Sequence, residues 1–408
     1  MCAGVAVSGG ARGLSGADIR ESNIGAILRT LRAEGPLSRS GLAQRLALSK
    51  SGMTPIIAEM VERGLVREQA GTLQRRGRPP LLLSVTADDL CIVGVELRRD
   101  RVGYTVEAFD GSTLMSVHRA HESIPEDPGH AAALVASLVL EAQQSTARTA
   151  VAVGICLPGS TRGDGRVDAP VLEWRDVPLM HLIEEALTPW RPLVLIADIA
   201  AAATLGNPEA TEEHRVRAHI QFGPGLGLGV CEIHPGTSPR PESRRLGHIA
   251  WPGATARCWC GSHGCLDTVL GLREITRELH QHGGLEPEQY SAELSSAITA
   301  VQHASPKKLT AWQDNIATRI AWVVRLVAQL EQPDLITLGG YVTRLDVSFE
   351  TALGKRLIPE NGIPESVDVL LSSNDDAAMR GVATAAGDLV FVAPLAALES
   401  AQNAARIS

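Results

Sequence analysis

The segment GHIAWPGATARCWCGSHGCLD, residues 247–267, places three of the chain's seven cysteines within eight positions. Cys258, Cys260 and Cys265 offer soft thiolate ligands, and His248, ten residues before the first of them, offers an imidazole. In structural sites Zn²⁺ binds four such groups in a tetrahedron and leaves no open position. The spacing therefore predicts a structural zinc site made by these four side chains.

Other interpretations of these cysteines remain open. A disulfide between Cys258 and Cys260 would close a strained ring, the thiols could be buried without a ligand, and His263 rivals His248 as the nitrogen ligand. The remaining cysteines are scattered and the total is odd, which is typical of a reducing compartment. They are Cys2, Cys91, Cys156 and Cys231.

Length and composition predict a folded protein of two or three domains. A chain of 408 residues with 44% apolar content is too long for one hydrophobic core. The chain contains no run of about 18 apolar residues, and its glycine-rich N-terminus does not resemble a signal peptide. We therefore expect a cytoplasmic protein without membrane association.

The net charge of -8 hides an asymmetry along the chain. Residues 1–85 contain 12 Lys and Arg against 6 Asp and Glu, whereas the remainder contains 26 against 40. A small basic domain attached to a large acidic one is typical of a nucleic-acid-binding module, although solubility alone can also produce it.

The basic end has the pattern of a winged helix-turn-helix. Apolar residues recur at helical spacing over 22–34, a short second helix follows around Leu42, and a third contains Ile56 and Met60. Pro55 lies early in that third helix and is tolerated only in a first turn, so we expect the helix to begin near Ser51 or Gly52, or its opening turn to be loose.

The predicted DNA contacts lie at the start of the third helix and in a wing. The start of a recognition helix faces base edges in the major groove. Arginines in a short Gly- and Pro-shaped loop can enter the minor groove, although an ordinary solvated hairpin has the same composition. The candidate residues are Ser49, Lys50, Ser51, Thr54, Arg75, Arg76 and Arg78.

The segment 247–267 closely resembles the signature of the ROK family, which unites bacterial sugar-responsive repressors with sugar kinases. The resemblance extends to further motifs in the expected order and to the N-terminal module of the family's repressors. These motifs are VGICLPGS (153–160), VLEWRDVPL (171–179), LVLIADIAAAA (193–203), FGPGLGLGV (222–230) and ITLGGYV (336–342).

This resemblance implies an α/β fold in which a winged helix-turn-helix precedes a two-lobed, actin-like (ribonuclease H-like) sugar-kinase body. Apolar strand candidates that alternate with longer helical segments agree with it. We expect a disordered tail over 1–20, the DNA-binding domain over 21–86, a first lobe over 87–202 plus 385–408, and a second lobe with the zinc site over 203–384.

The turn that holds the ATP phosphates in the family's kinases is altered here. An Asp-x-Gly-x-Thr pattern is expected after the first strand, but the chain has Glu96 at the aspartate position and Arg98, Arg99 and Asp100 in the turn. Bulky side chains there would fill the phosphate space, so we predict that ATP does not bind and that kinase activity is lost.

The resemblance also marks a sugar cleft with departures from the family. Asp198 matches the catalytic base of the kinases, and we read it as a vestigial base that could still bind a sugar hydroxyl. Its usual flanking asparagines are Ala197 and Ala200. A buried carboxylate held only by protein groups is the alternative for Asp198.

Two further positions define the expected effector. Arg245 replaces the glutamate that usually precedes Gly-His, and guanidinium prefers carboxylate or phosphate. Asp267 is one carbon shorter than the usual glutamate but could reach a hydroxyl. Together with Asp198 and His248, these residues predict a site for a carbohydrate-like effector, with a sugar phosphate or acidic sugar at least as fitting as a neutral sugar. A decayed pocket, or Arg245 paired with a nearby acid, remains the alternative.

The sequence thus predicts a DNA-binding transcriptional regulator, most simply a repressor, that binds a double-stranded operator as a homodimer or homotetramer. An active sugar kinase with an accessory domain is one alternative. A regulator that responds to a protein partner and has no small-molecule effector is the other.

Overall fold

We describe the protein from a computed structural model that covers residues 16–70, 81–86, 88–98, 101–120, 126–211, 213–234, 238–284, 293–372, 374–392, 394–395 and 397–398. The wing residues Arg75, Arg76 and Arg78, the turn residues Arg99 and Asp100, and residues 1–15 of the expected tail lie outside these ranges.

The N-terminal domain is a winged helix-turn-helix, as predicted. Ser38 and Ser49 cap the second and third helices by accepting hydrogen bonds from the backbone N–H groups of Gly41 and Gly52. Strand β3 lies between β1 and β2 in an antiparallel sheet. The elements are α1 (Gly16–Glu34), β1 (Leu37–Ser38), α2 (Arg39–Arg45), α3 (Lys50–Glu62), β2 (Val66–Ala70) and β3 (Leu81–Val85).

Two details of this domain differ from expectation. Helix α1 begins at Gly16, so residues 16–20 belong to a helix with Asp18 in its first turn, where the helix dipole favours an acid, and not to a disordered tail. Helix α3 begins at Lys50 and continues through Pro55. Because Pro55 is exposed and follows a capped first turn, the helix tolerates the loss of one backbone hydrogen bond there.

The first lobe is built on a five-stranded mixed sheet with the order β11-β7-β4-β5-β6. Strand β4 is buried along its whole length, which explains its continuous apolar run. A small three-stranded flap, β10-β9-β8, follows β7. The strands are β4 (Leu90–Leu97), β5 (Arg101–Ala108), β6 (Thr113–Ala120), β7 (Thr149–Leu157), β8 (Ser160–Thr161), β9 (Val167–Ala169), β10 (Trp174–Val177) and β11 (Leu193–Asp198), and the helices are α4 (Pro128–Thr146) and α5 (Leu179–Ala186).

The second lobe has another five-stranded mixed sheet, with the order β14-β13-β12-β15-β16, and a large core against its helices. Its strands are β12 (Val216–Phe222), β13 (Leu226–Glu232), β14 (Glu242–Arg244), β15 (Leu335–Gly340) and β16 (Asp368–Leu371). Its helices are α7 (Asp267–Leu270), α8 (Leu272–Gly283), α9 (Leu294–Ala304), α10 (Pro306–Glu331) and α11 (Val347–Gly354).

Helices α6 (Ile199–Gly206) and α12 (Ala377–Val390) cross between the two sheets. They touch through glycines: a Cβ on Gly381 would lie 1.8 Å from the Ala202 carbonyl oxygen, and one on Gly206 would lie 1.9 Å from that of Ala377. Because α12 packs on β4 and β7 from Ala377 onward, the return to the first lobe begins eight residues before the expected boundary at 385.

The N-terminal domain and the first lobe share one hydrophobic core. Ile24, Ile27 and Leu28 of α1 pack with Phe109 and Phe391 of the body in a single buried cluster. Among the described residues, no helix has both the length and the apolar character needed to cross a membrane.

Candidate functional site

The structure brings four metal-ligating side chains together on the second lobe. The ligand atoms of His248, Cys258, Cys260 and Cys265 all lie within 4.8 Å of one another. Cys260 Sγ lies 3.7 Å from Cys265 Sγ, and Cys258 Sγ lies 3.8 Å from His248 Nδ1. Thiolates bound tetrahedrally at Zn–S distances of about 2.3 Å are separated by about 3.8 Å, so the spacing fits this ion.

Tight turns give the cluster its shape. Gly261 and Gly264 have φ angles of +93° and +71°, which residues with a Cβ rarely adopt. A Cβ on Gly264 would also lie 2.3 Å from the Ala254 carbonyl oxygen. The cluster takes its nitrogen from His248, and His263, the rival ligand, is exposed and outside it.

The cysteine side chains differ in their environments. Burial raises the pKa of the Cys258 thiol to about 12 and also raises that of Cys265. A hydrogen bond from the Ser262 backbone lowers the pKa of Cys260. A divalent cation supplies the positive charge that buried thiolates require, so the residues present fit a metal.

A cavity of about 1080 Å³ lies between the two lobes next to this cluster. The flap and β11 line one side. The glycine run 223–227 lines the other side, together with residues 247–267, the metal loop. All four predicted effector residues line it: Asp198, Arg245, His248 and Asp267. A cleft of this size between two lobes is a usual ligand site.

Asp198 is the N-cap of α6. Its Oδ1 accepts hydrogen bonds from the backbone N–H groups of Ala200 at 2.8 Å and Ala201 at 3.3 Å, and Oδ2 accepts one from Gly159 at 3.4 Å. Burial raises the pKa of this carboxyl to about 6, although these bonds oppose the shift. The carboxylate is thus held by protein groups and still lines the cavity.

We expect the D198N variant to be more stable than the parent at pH 7.5 by roughly 1–3 kcal/mol. The native state binds this proton more tightly than the unfolded chain does, so parental stability falls as the pH rises from 3.8 to about 6. Asparagine is uncharged and caps helices well. Denaturant unfolding at pH 4.5 and 7.5 checks this, since the gap between the two proteins should narrow at the lower pH. A variant less stable at both values would contradict it.

Asp267 is engaged by the protein on both carboxylate oxygens. Oδ1 accepts a hydrogen bond from the Leu226 backbone at 2.8 Å, and Oδ2 accepts one from Trp259 Nε1 at 3.1 Å. His248 Nδ1 lies 3.7 Å from the same Oδ2. Trp259 also packs edge-on against the His248 ring, with the centroids 4.6 Å apart.

Arginines dominate the charged lining of the cleft. Arg175, Arg245 and Arg344 are exposed in it, and their side chains make no hydrogen bond or ion pair with the described residues. Hydrogen bonds from the Asp176 backbone and from Arg162 lower the pKa of Asp168, the flap residue that lines the same cavity, and the charge of Arg245 lowers it further.

The residues on either side of the turn after β4 form a buried charge cluster. Glu96 is fully buried and forms ion pairs with Arg98 at 2.7 Å and Arg101 at 3.3 Å. Both arginines line the cleft. Glu96, which the family resemblance aligns with the kinase aspartate, is therefore paired with one guanidinium group at the end of β4 and one at the start of β5.

The candidate DNA-contacting residues that the structure describes lie at the start of α3. Ser49 is exposed but also caps the helix, and Ser51 and Thr54 are exposed. Lys50 is the first helical residue. The face is thus available to a ligand, with the Ser49 hydroxyl shared between capping and contact.

A two-lobed body of the sugar-kinase type that carries a winged helix-turn-helix defines the class of this protein. The sequence model of the ROK family matches residues 92–388, and the chain belongs to this family. The MarR family model matches residues 24–76, which contain the helix-turn-helix.

The similar curated proteins include regulators. The chain is 25% identical to the xylose repressor of Caldicellulosiruptor bescii over 61% of its own length and 63% of that protein, so the match spans less than two thirds of this relative. It is 23% identical to the putative xylose repressor of Caldicellulosiruptor sp. over 79% and 83% of the two chains. It is 25% identical to the DNA-binding transcriptional dual regulator NagC of Escherichia coli over 64% and 65%.

Solved structures share the fold. A ROK family transcriptional regulator homologous to the E. coli MLC protein matches with a TM-score of 0.72 at 21% identity, over 93% of this chain and 99% of that one. A ROK family glucokinase from Streptomyces griseus, in complex with glucose and AMPPNP, matches with a TM-score of 0.58 at 21% identity, over 72% and 98%.

Sequence reasoning missed several residues of the cleft. Trp259 stands inside the quoted motif, yet its hydrogen bond to Asp267 could not be read from spacing. Arg101, Arg175 and Arg344 come from three separate segments of the chain. For these three, the sequence contains no local signal that they share a cavity.

Proposed function

We propose that the chain is a DNA-binding transcriptional regulator, most simply a repressor, whose ROK body binds a carbohydrate-like effector. The observation that carries this proposal is the shared hydrophobic core between the N-terminal domain and the first lobe. Because the N-terminal DNA-binding domain is packed against the two-lobed body, closure of the interlobe cleft can change the position of that domain. The names of the xylose repressors and of NagC support the same function.

The cleft favours an anionic effector. Arg245 stands where the family's glutamate would take a hydroxyl, and Arg175 and Arg344 line the same cavity without ion pairs to described residues. Guanidinium binds carboxylate and phosphate in bidentate geometry. A sugar phosphate or an acidic sugar is therefore the effector class that we propose.

An active sugar kinase is the second candidate, because Asp198 and the glycine run 223–229 are retained. The pairing of Glu96 with Arg98 and Arg101 argues against it. An ATP-dependent phosphorylation assay over a sugar panel separates the two, and turnover would overturn the assignment as a regulator without ATP.

A regulator controlled by a protein partner is the third candidate. Ala197, Ala200 and the engaged carboxylate of Asp267 favour it, since they reduce hydroxyl recognition. Thermal-shift screening distinguishes it from the first, because an effector at 100 times its Kd stabilises the folded chain by about 2.7 kcal/mol.

We propose that Zn²⁺ is a structural cofactor held by His248, Cys258, Cys260 and Cys265. We also propose that the protein is cytoplasmic and that its DNA-binding unit is a homodimer or homotetramer. One winged domain reads only a half-site, so a symmetric pair is needed for a palindromic operator. The metal would fix the loop that carries Trp259 and leads into Asp267.

We expect the S51E variant to bind its operator at least about tenfold more weakly than the parent, because a carboxylate at the start of α3 repels the phosphate backbone. An acid in the first helical turn is favourable to the helix, so thermal stability should not fall. Gel-shift titration against fragments selected from genomic DNA measures the affinity.

S137E is the matched control, since Ser137 is an exposed serine on α4 of the body. This variant should bind DNA as the parent does. Equal loss of affinity in S51E and S137E would show a general effect of the added negative charge. It would then contradict the proposal that α3 is the helix that contacts DNA.

A further inference from the structure

Trp259 is an unusual side chain for the wall of a polar cleft. It lies between Cys258 and Cys260 of the metal cluster, lines the interlobe cavity and is 52% exposed. Its indole combines an apolar face with one N–H donor, so it can contact a ligand through its ring and a polar group through its nitrogen.

The indole N–H of Trp259 is already used. It donates to Asp267 Oδ2 at 3.1 Å, while the Leu226 backbone N–H donates to Oδ1 at 2.8 Å. The ring also stands edge-on against His248. Trp259 therefore occupies one carboxylate oxygen of Asp267 and one edge of the His248 ring, which leaves both side chains less available to a ligand hydroxyl.

A ligand in this cavity can also use the apolar face of Trp259 and the guanidinium groups that line the same cavity. The side chains of Arg175, Arg245 and Arg344 line the same cavity and make no hydrogen bond or ion pair with described residues. An apolar ring wall combined with guanidinium groups that form no ion pair with described residues suits a ligand that has both an apolar face and an anionic group.

We infer that Trp259 is a specificity-determining residue of the effector site, and this inference rests on the proposed effector-binding function. Its ring packs against the C–H face of a cyclic effector, and the cleft arginines bind the anionic group of that effector. The class selected is a cyclic sugar acid or sugar phosphate. Neither a neutral sugar nor a free phosphate ion satisfies both parts of the site.

Two substitutions separate the ring from its hydrogen bond. W259F keeps an aromatic face and removes the N–H donor, whereas W259A removes both. We expect W259F to bind the effector within about threefold of the parent and W259A to bind at least about tenfold more weakly. Both variants should retain the parent's zinc content, measured by atomic emission, since neither changes a ligand.

The direct test is ¹⁹F NMR of the full chain labelled with 5-fluorotryptophan. The chain has six tryptophans, and the spectrum of W259F identifies the resonance of Trp259 by its loss. The probes are D-xylose, N-acetylglucosamine, D-glucuronate, N-acetylglucosamine 6-phosphate and inorganic phosphate, each titrated to millimolar concentration. We expect D-glucuronate or the sugar phosphate to shift the Trp259 resonance and the other three to leave it in place.

Each other outcome overturns the inference. A shift caused by a neutral sugar refutes the anionic class, and a shift caused by inorganic phosphate refutes the need for a ring. A probe that raises the Tm without moving the Trp259 resonance, or that binds W259A as well as the parent, removes Trp259 from the site. If no probe binds, the sugar-acid or sugar-phosphate class is refuted. Gel shifts with genomic fragments then show separately whether the proposed DNA-binding function survives.

Discussion

From the proposed zinc site, we expect the C258S variant to bind only a small fraction of the one zinc ion per chain expected for the parent, and to unfold at a markedly lower temperature. Cys258 is 3% exposed, and its sulfur lies 3.8 Å from His248 Nδ1 inside the four-residue cluster. A serine hydroxyl is a hard, neutral ligand that replaces thiolate poorly at Zn²⁺. Because metal binding is coupled to folding of its loop, removing one ligand should cost several kcal/mol, about 3 or more.

The loss should extend to the effector site. Trp259 follows Cys258 directly, and the loop continues to Asp267, so a disordered metal loop would also displace the side chains that line the cleft. Metal content by atomic emission and unfolding by calorimetry measure the first two effects. Probe titration measures the third.

Cys231 provides the matched control. It is buried at 1% exposure in β13 and lies outside the cluster, so C231S replaces a buried cysteine without touching a ligand. This variant should keep one zinc per chain. One-to-one zinc retained in C258S and also in C260S would show that the cluster is not the metal site.

Local sequence patterns were enough to predict the elements that surround the cleft. The strands around Ile92 and Val153 are buried apolar runs, and the strand around Ile196 is a half-buried one, so all three are recognisable without knowledge of their partners. The cluster of three cysteines and one histidine was equally readable, because its ligands come from a short loop in which spacing determines reach.

Contacts between distant segments were not readable in this way. The sequence predicts that arginines crowd the turn that follows Glu96. Only the structure shows that Arg98 and Arg101 form ion pairs with the Glu96 carboxylate. The position of α12 depends on its contact with α6, which Gly206 and Gly381 allow although they lie about 175 residues apart in the chain. No local periodicity encodes such a contact.

The packing of the N-terminal domain against the first lobe is the most consequential of these distant contacts. Arg32 of α1 forms a buried ion pair with Glu107 at 2.5 Å and donates to the Phe109 carbonyl oxygen at 3.2 Å. Burial raises the pKa of Glu107, and Arg32 opposes that shift. Because α1 and the end of α12 lie in one core and α12 packs on α6, which begins at the cleft, a movement of α6 and α12 would displace α1.

We expect G25V to break this attachment. A Cβ on Gly25 would lie 1.8 Å from the Phe391 carbonyl oxygen, so valine must force α1 away from the end of α12. Valine is intrinsically a better helix residue than glycine, so any destabilisation comes from the clash and not from helix propensity. We expect a cost of about 3 kcal/mol or more, within the range of severe overpacking.

The expected signature of G25V is a thermal transition that splits in two, since the body retains its own sheets while the N-terminal domain loses part of its core. G16V is the control on the same helix, because an ideal Cβ at Gly16 has no atom within 4 Å. It should unfold in one transition like the parent. A single unshifted transition in G25V would mean that α1 does not pack against Phe391, and cleft closure would then have no rigid route through α12 to the DNA-reading domain.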